Sequence, residues 1–271
     1  MMTDNWRFNA EIDGRTATVD DLSPLAFSGF AHFTAMQVRN GRVKGLDLHL
    51  ARLHSQSIEL FGKAMPDELV RGYLRTAIEN GPADISLTAT MFSRNGEFTP
   101  SGADDDPAIL VRTGPASSGP NEPLRLAAVE HQRPLPMIKH VGEATKTHYL
   151  RQAVKDGYND AAFIDAQGHL SEATIWNLAF WDGETVIWPK AALLPGVTMG
   201  IVRRQLHGLN VPQREEVILI DRLGGLGGAA VMNSWTPGIG VSGIASVPLP
   251  LSPKFMDILH SAYAQEPAEK V

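Results

Sequence analysis

The hydrophobic pattern is clearest between residues 31 and 81. HFTAMQVRNGRVKGL (32–46) alternates apolar and polar residues, breaks at Asn40-Gly41 and resumes, which predicts a hairpin of one long and one short strand. LDLHLARLHSQSIELFG follows with Leu46, Leu50, Leu53, Ile58 and Leu60 near helical spacing and Gly62 as a stop. PDELVRGYLRTAIENG predicts a second amphipathic helix, opened by Pro66-Asp67 and closed by Gly81. ISLTATMFS (85–93) and AILVRTG (108–114) read as strands. GPASSGPNEP (114–123) is rich in Gly, Pro and Ser, and it reads as a linker between a small N-terminal α/β subdomain, 1–113, and a larger C-terminal one, 124–271.

Beyond the linker, LRLAAVEH (124–131), DAAFIDAQGHLSEA (160–173), WNLAFWDGETVIW (176–188), EEVILI (215–220) and GAAVMNS (228–234) read as strands. THYLRQAVKDG (147–157), VTMGIVRRQLHGL (197–209) and PKFMDILHSAYAQ (253–265) read as helices. Strands and helices mixed in both halves, with hairpins, predict an α+β fold rather than a doubly wound one.

Composition narrows the chemistry. The 271 residues carry a net charge of −6, which disfavours nucleic acid as a partner. No apolar run approaches the roughly 18 residues of a membrane span. The polar, acidic start MMTDNWRFNAEIDG reads as neither signal nor transit peptide, so a cytoplasmic enzyme is expected. The absence of cysteine excludes disulfides, zinc–thiolate sites and cysteine nucleophiles. The nine histidines show no HExxH or other paired helical spacing, so no metal site is expected.

Several stretches carry candidate chemistry. GGLGGAA (224–230) contains G-x-G-x-x-A, but Asp221 and Arg222 intervene after the apolar run and no acidic residue follows at the distance a dinucleotide site needs; a flexible or closely packed glycine loop is expected. Ser234 in MNSWT lacks the G-x-S-x-G elbow of a hydrolase. Trp176, Trp181 and Trp188 read as packing residues, one of which could wall a pocket. LLPGVTMGIVRR (193–204) places a Pro-Gly turn before a helix whose first N–H groups are free, a ready anion site. Arg52 sits among apolar helix residues, where it either snorkels or reaches a phosphate. Glu172 stands between two strand-like segments. MIKHVGEATKTHYL (137–150) offers two lysines, Lys139 and Lys146, and the residues alone leave the choice between them open.

Together these motifs resemble the class IV aminotransferases, the fold-type IV pyridoxal-phosphate enzymes. The resemblance runs in order from FTAMQVRNG to MNSWT and is most specific at DAAFIDAQGHLSEATIWNLAF followed by LLPGVT. It implies a two-subdomain fold-type IV architecture with pyridoxal 5'-phosphate between the subdomains and a pocket completed by a second subunit. It implies Glu172 at the pyridine nitrogen, Arg52 on the phosphate, and Val197 and Thr198 N–H groups at the helix-terminus phosphate site, with the Thr198 hydroxyl as an extra donor. Ser234 or Trp235 stands where the family often has a phosphate-binding hydroxyl, and the serine suits that role. The family's Schiff-base lysine precedes the glutamate by roughly 32 to 34 residues. Lys139 precedes Glu172 by 33 and Lys146 by 26, which favours Lys139 and leaves Lys146 as a solvated charge at a helix start.

The implied activity is ping-pong transamination between a small-molecule amino donor and a keto acceptor, by a homodimer. Aminodeoxychorismate lyase, to which FTAMQV, HLARL and IKH bear some likeness, is the alternative, and a cofactor-free binding protein a remote one. Phe33, Arg94, Trp176 and Trp235 are the candidate substrate-pocket residues. Departures from the family are Ala144 where a tyrosine often follows the lysine, Gln37 where branched-chain enzymes have arginine, and Glu143 close to Lys139.

Overall fold

The computed structural model describes residues 8–98 and 106–271, which form two compact units. Among the described residues the first comprises 8–98, 106–117, 138–143 and 267–271; the second comprises 118–137 and 144–266. The first boundary falls inside the expected linker. The expected two-part division otherwise runs straight through the chain, whereas here residues 138–143 and the last five residues return to the first unit.

In the first unit the strands include β1 (Asn9–Ile12), β2 (Arg15–Thr16), β3 (Ala31–Val38), β4 (Val43–Lys44), β5 (Ile85–Phe92) and β6 (Ala108–Pro115). Its helices are α1 (Val19–Leu22), α2 (Leu46–Phe61) and α3 (Asp67–Glu79). A five-stranded antiparallel sheet runs β2-β1-β6-β5-β3. The turn after β3 is made by Asn40 and Gly41, both at positive φ (52° and 66°), which suits this dipeptide and accounts for the legible hairpin. Gly62, at φ 69°, closes α2 in the left-handed conformation. Met36, Val38, Ile85, Leu87, Ala89, Ile109 and Val111 pack beneath Leu46, Leu50 and Leu53 of α2 and Val70 and Leu74 of α3. Each such leucine contributes roughly 1.5–3 kcal/mol on burial. Residues 138–143 run beside β3: Phe33 N–H donates to Lys139 O (2.9 Å), and Val141 N–H donates to Ala31 O (2.7 Å).

The second unit contains β7 (Leu124–Glu130), α4 (Ala144–Lys155), β8 (Asp160–Ile164), β9 (Leu170–Ala173), β10 (Asn177–Trp181), β11 (Val186–Pro189), α5 (Val197–Gly208), β12 (Gln213–Glu216), β13 (Gly228–Asn233), β14 (Thr236–Ile244), β15 (Val247–Pro248) and α6 (Pro253–Gln265). Its sheet runs β12-β11-β10-β13-β14-β7-β8-β9 and closes on itself where β9 pairs with β10, the closing register placing Glu172 opposite Asn177. Leu178, Phe180, Val231, Val241 and Leu126 share one core cluster. The alternate residues Ala179, Trp181, Ala230 and Met232 pack instead with Met199, Val202, Phe255 and Leu259 of α5 and α6. Both faces of β10 are thus buried, which explains its continuous apolar run.

One sequence expectation is corrected here. The strand expected over 215–220 lies earlier, at Gln213–Glu216, as a polar edge pairing parallel with β11; Ile218 enters the core from the irregular segment after it and Leu223 from a 3₁₀ turn. The glycine-rich segment after it ends that turn and starts β13: Gly224 and Gly225 face open space, whereas a Cβ on Gly227 or Gly228 would meet neighbours at 3.3 Å. Among the described residues, no helix is long and apolar enough to cross a membrane.

Candidate active site

Barrel closure fixes Glu172. It is 3% exposed, and its Oε1 lies 3.3 Å from Lys146 Nζ and 3.5 Å from Arg133 Nη1; Oε2 accepts the Leu194 N–H at 3.4 Å. The solvated role expected for Lys146 is therefore corrected. The helix starts at Ala144, earlier than expected, so Lys146 lies in its first turn, with its side chain 12% exposed and turned onto Glu172. A cation in a first turn opposes the helix dipole and needs a counter-charge, which Glu172 supplies. Arg133, 5% exposed, was missed from sequence: it stands alone in the loop HQRPLPM, and no local periodicity marks it as buried.

The anion site expected at 195–198 takes shape next to this cluster. Gly196 is the N-cap of α5 and no side chain caps the helix, so the Val197 and Thr198 N–H groups are available to an anion. A Cβ on Gly196 would meet Asn177 Oδ1 at 1.9 Å, so only glycine fits. Asn177 Nδ2 donates in turn to Leu194 O at 2.7 Å, tying the α5 turn to the strand that faces Glu172. The Thr198 hydroxyl donates to Asn233 O at 2.8 Å. That corrects its expected role as an anion donor, and it leaves the residue's backbone N–H for the purpose. The same bond ties α5 to the β13–β14 turn, where Ser234 is half-buried and its hydroxyl has no partner among the described residues. Trp235 N–H is taken by Asn233 Oδ1 (2.8 Å), so of the two register choices the serine holds the available donor.

Trp176 is buried; its Nε1 donates to Asp160 Oδ2 at 2.9 Å and its ring meets that of Trp235 edge-on, centroids 5.7 Å apart. Asp160 also accepts from Thr174 Oγ1 and Ala161 N–H, both at 2.6 Å, while burial pushes its carboxyl above the usual range. Trp235 lines a cleft of about 540 Å³ with Leu251, Met256 and His260. Trp181 and Trp188 are packing residues of the outer core, as expected.

The remaining sequence candidates belong to the first unit. Lys139 is half-buried; its Nζ lies 4.7 Å from the centroid of the Phe33 ring, and its N–H donates to Gln56 Oε1 at 3.1 Å. Spacing from Glu172 favours Lys139, but contact with Glu172 belongs to Lys146. Arg52 is half-buried on α2, and its charge acts on His32 and His49. Both rings are pushed down to about 3, first by burial and then by Arg52. His32 Nε2 lies 2.9 Å from Ser57 Oγ, and His49 Nδ1 lies 2.6 Å from Thr34 Oγ1. Arg94, a substrate-pocket candidate, pairs its guanidinium with Asp13 at a partly exposed turn, 5.9 Å from the Phe92 ring centroid. Glu143, which stood out beside Lys139, has its Oε1 3.3 Å from His140 Nε2. Among the described residues, no cluster is placed to hold a metal ion.

What the second unit assembles is a buried carboxylate with an amine on it, beside a helix terminus open to an anion. Among curated protein sequences none matches this chain. Solved structures do match in fold. A branched-chain aminotransferase from Thermoproteus uzoniensis, with norvaline, is 21% identical, has a TM-score of 0.81 and covers 94% of this chain and 93% of its own. A Legionella pneumophila protein, provisionally described as a 4-amino-4-deoxychorismate lyase, is 19% identical with a TM-score of 0.78 over 92% and 95% of the two chains. A hypothetical aminotransferase from Mycobacterium tuberculosis, in a PLP-bound form, is 17% identical with a TM-score of 0.75 over 94% and 98%. Residues 31–244 match the family model described as Amino-transferase class IV, and the chain belongs to that family.

Proposed function

We propose that this protein is a pyridoxal-phosphate-dependent transaminase whose covalent lysine is Lys146 rather than Lys139. The observation that carries the reading is the buried Lys146–Glu172 contact of 3.3 Å beside the uncapped start of α5. The donor set fits the cofactor. Glu172 offers a carboxylate to a ring nitrogen, while Val197 and Thr198 N–H groups and the Ser234 hydroxyl offer hydrogen bonds to a phosphate. When bound, the cofactor supplies an aldehyde that takes up an amine and a ring that withdraws electrons from the substrate's α-carbon.

The chain's own residues do the rest. Lys146 Nζ would hold the cofactor and would carry the proton removed from the substrate's α-carbon. Glu172 holds a negative charge against the ring nitrogen, which strengthens the electron sink. Asn177 and Gly196 keep the anion site and the carboxylate in register. The partners proposed are a small amino donor and a keto acceptor, and the working form is proposed to be a cytoplasmic homodimer.

Reconstituted enzyme mixed with single D- or L-amino acids, or with (R)-1-phenylethylamine, should convert its cofactor to the amine form and release a keto product. A keto acid should then reverse that conversion. Release of 4-aminobenzoate from aminodeoxychorismate without such a half-reaction would decide for the lyase. Protein that takes up no cofactor would sink both. Light scattering tests the dimer.

A further inference from the structure

Arg133 is the second cation on Glu172. It is 5% exposed, at the edge of a carboxylate that is itself 3% exposed, with Nη1 3.5 Å from the same Oε1 that Lys146 approaches. The other oxygen, Oε2, takes a backbone N–H from Leu194. An arginine in such a place stays charged at any working pH, whereas a lysine can give up its proton.

That difference matters for a carboxylate facing a ring nitrogen. The two groups share one proton. In a dry site the uncharged arrangement, proton on the carboxylate, competes well with the charge-separated one, because burial penalises charge. A fixed cation on the carboxylate's flank stabilises the anion more than it disturbs the nitrogen, since it lies closer to the oxygen. It therefore tips the proton onto the nitrogen. Lys146 does not supply this bias while its amine is occupied with the cofactor or with the substrate's proton. Arg133 does.

Resting on the cofactor reading above, we infer that Arg133 is a positioning residue that keeps the negative charge on Glu172 and so keeps the shared proton on the cofactor's ring nitrogen. It acts through Glu172 and touches no reacting atom. Its nearest alternative is a purely structural ion pair, which would hold the loop 131–137 to the barrel and leave the ring nitrogen unaffected.

The two are separated by ¹⁵N NMR of holoenzyme loaded with cofactor labelled at the ring nitrogen. Wild type should show a protonated nitrogen. Arg133→Gln, which keeps hydrogen-bonding capacity without charge, should move the resonance toward that of unprotonated pyridine. Arg133→Lys should move it back toward wild type. Across the same series kcat should fall and recover while the KM for the amino donor changes little. An unprotonated nitrogen in wild type overturns the inference without any variant. So does an Arg133→Gln holoenzyme with an unmoved resonance. If Arg133→Gln does not fold, the wild-type spectrum and the Arg133→Lys spectrum carry the test, and a resonance closer to unprotonated pyridine in wild type than in Arg133→Lys overturns it. Failure of the cofactor reading looks different: wild type would then carry no lysine-bound cofactor at all.

Discussion

Two buried polar clusters organise this molecule, one in each unit, on opposite rules. In the second unit an anion, Glu172, is met by two cations, Lys146 and Arg133. In the first, Arg52 acts on two buried rings, His32 and His49, held neutral by burial and by its own charge. The first arrangement neutralises a charge the protein supplies itself. The second sets a cation beside two rings that bring no counter-charge of their own. The two lysines divide along the same line. Lys139 lies over an aromatic ring in the first unit, and Lys146 lies on the carboxylate in the second. Seven residues of sequence separate an ammonium on a π face from an ammonium on a buried carboxylate.

Exchanging the lysines gives the largest expected effect. Lys146→Ala should abolish covalent cofactor attachment and lower turnover by at least about 10²–10⁴-fold, the range of a lost acid–base group. Lys139→Ala should keep the attachment. Absorbance of the bound cofactor and steady-state assays read both variants, and the reverse pattern would break the contrast.

Acidification should strike the first unit through its histidines. Both rings titrate below the ordinary value of about 6.5, so between about 6.5 and 3 the unfolded chain binds more protons than the folded one. Stability is held above that window and lost as pH falls through it, by about 1–2 kcal/mol per ring between pH 7 and pH 5. His32→Leu should lose correspondingly less over that interval in thermal melts. Asp160 in the second unit has the opposite sign: its raised carboxyl favours the folded state at lower pH and loses that contribution as pH rises through the raised value.

A smaller effect is expected at the α5 turn. Gly196→Ala must push Asn177 off Leu194 O, costing about 1 kcal/mol for that bond. It should also weaken cofactor affinity several-fold, read by fluorescence titration. The smallest effect belongs to Arg94→Gln. An exposed ion pair contributes about 0–1 kcal/mol, so the KM for either substrate should not move and the melt should hardly shift. A raised KM would return Arg94 to the substrate pocket.

Local signals made most elements legible. Asn40-Gly41 wrote the hairpin, Gly62 ended α2, and Pro253 after Ser252 opened α6. Strand β14, TPGIGVSGI, was not legible, because its glycines dilute the strand pattern. They are there for packing: a Cβ on Gly238 would come within 3.2 Å of Leu259, and one on Gly240 within 3.1 Å of Leu251. Barrel closure is non-local, so nothing in LSEATIWN alone places Glu172 opposite Asn177 or brings Arg133 to it. Glu172, Gly196 and Val197 were legible as a motif. Lys146 read as a solvated charge because a first-turn lysine usually is one, and spacing cannot report which carboxylate it meets.

The most direct measurement is borohydride reduction of the holoenzyme, followed by peptide mapping of the single modified lysine. Placement of Lys146 on Glu172 predicts the adduct on Lys146, with Lys139 unmodified. An adduct on Lys139 would contradict it and make the Lys146–Glu172 pair a structural one.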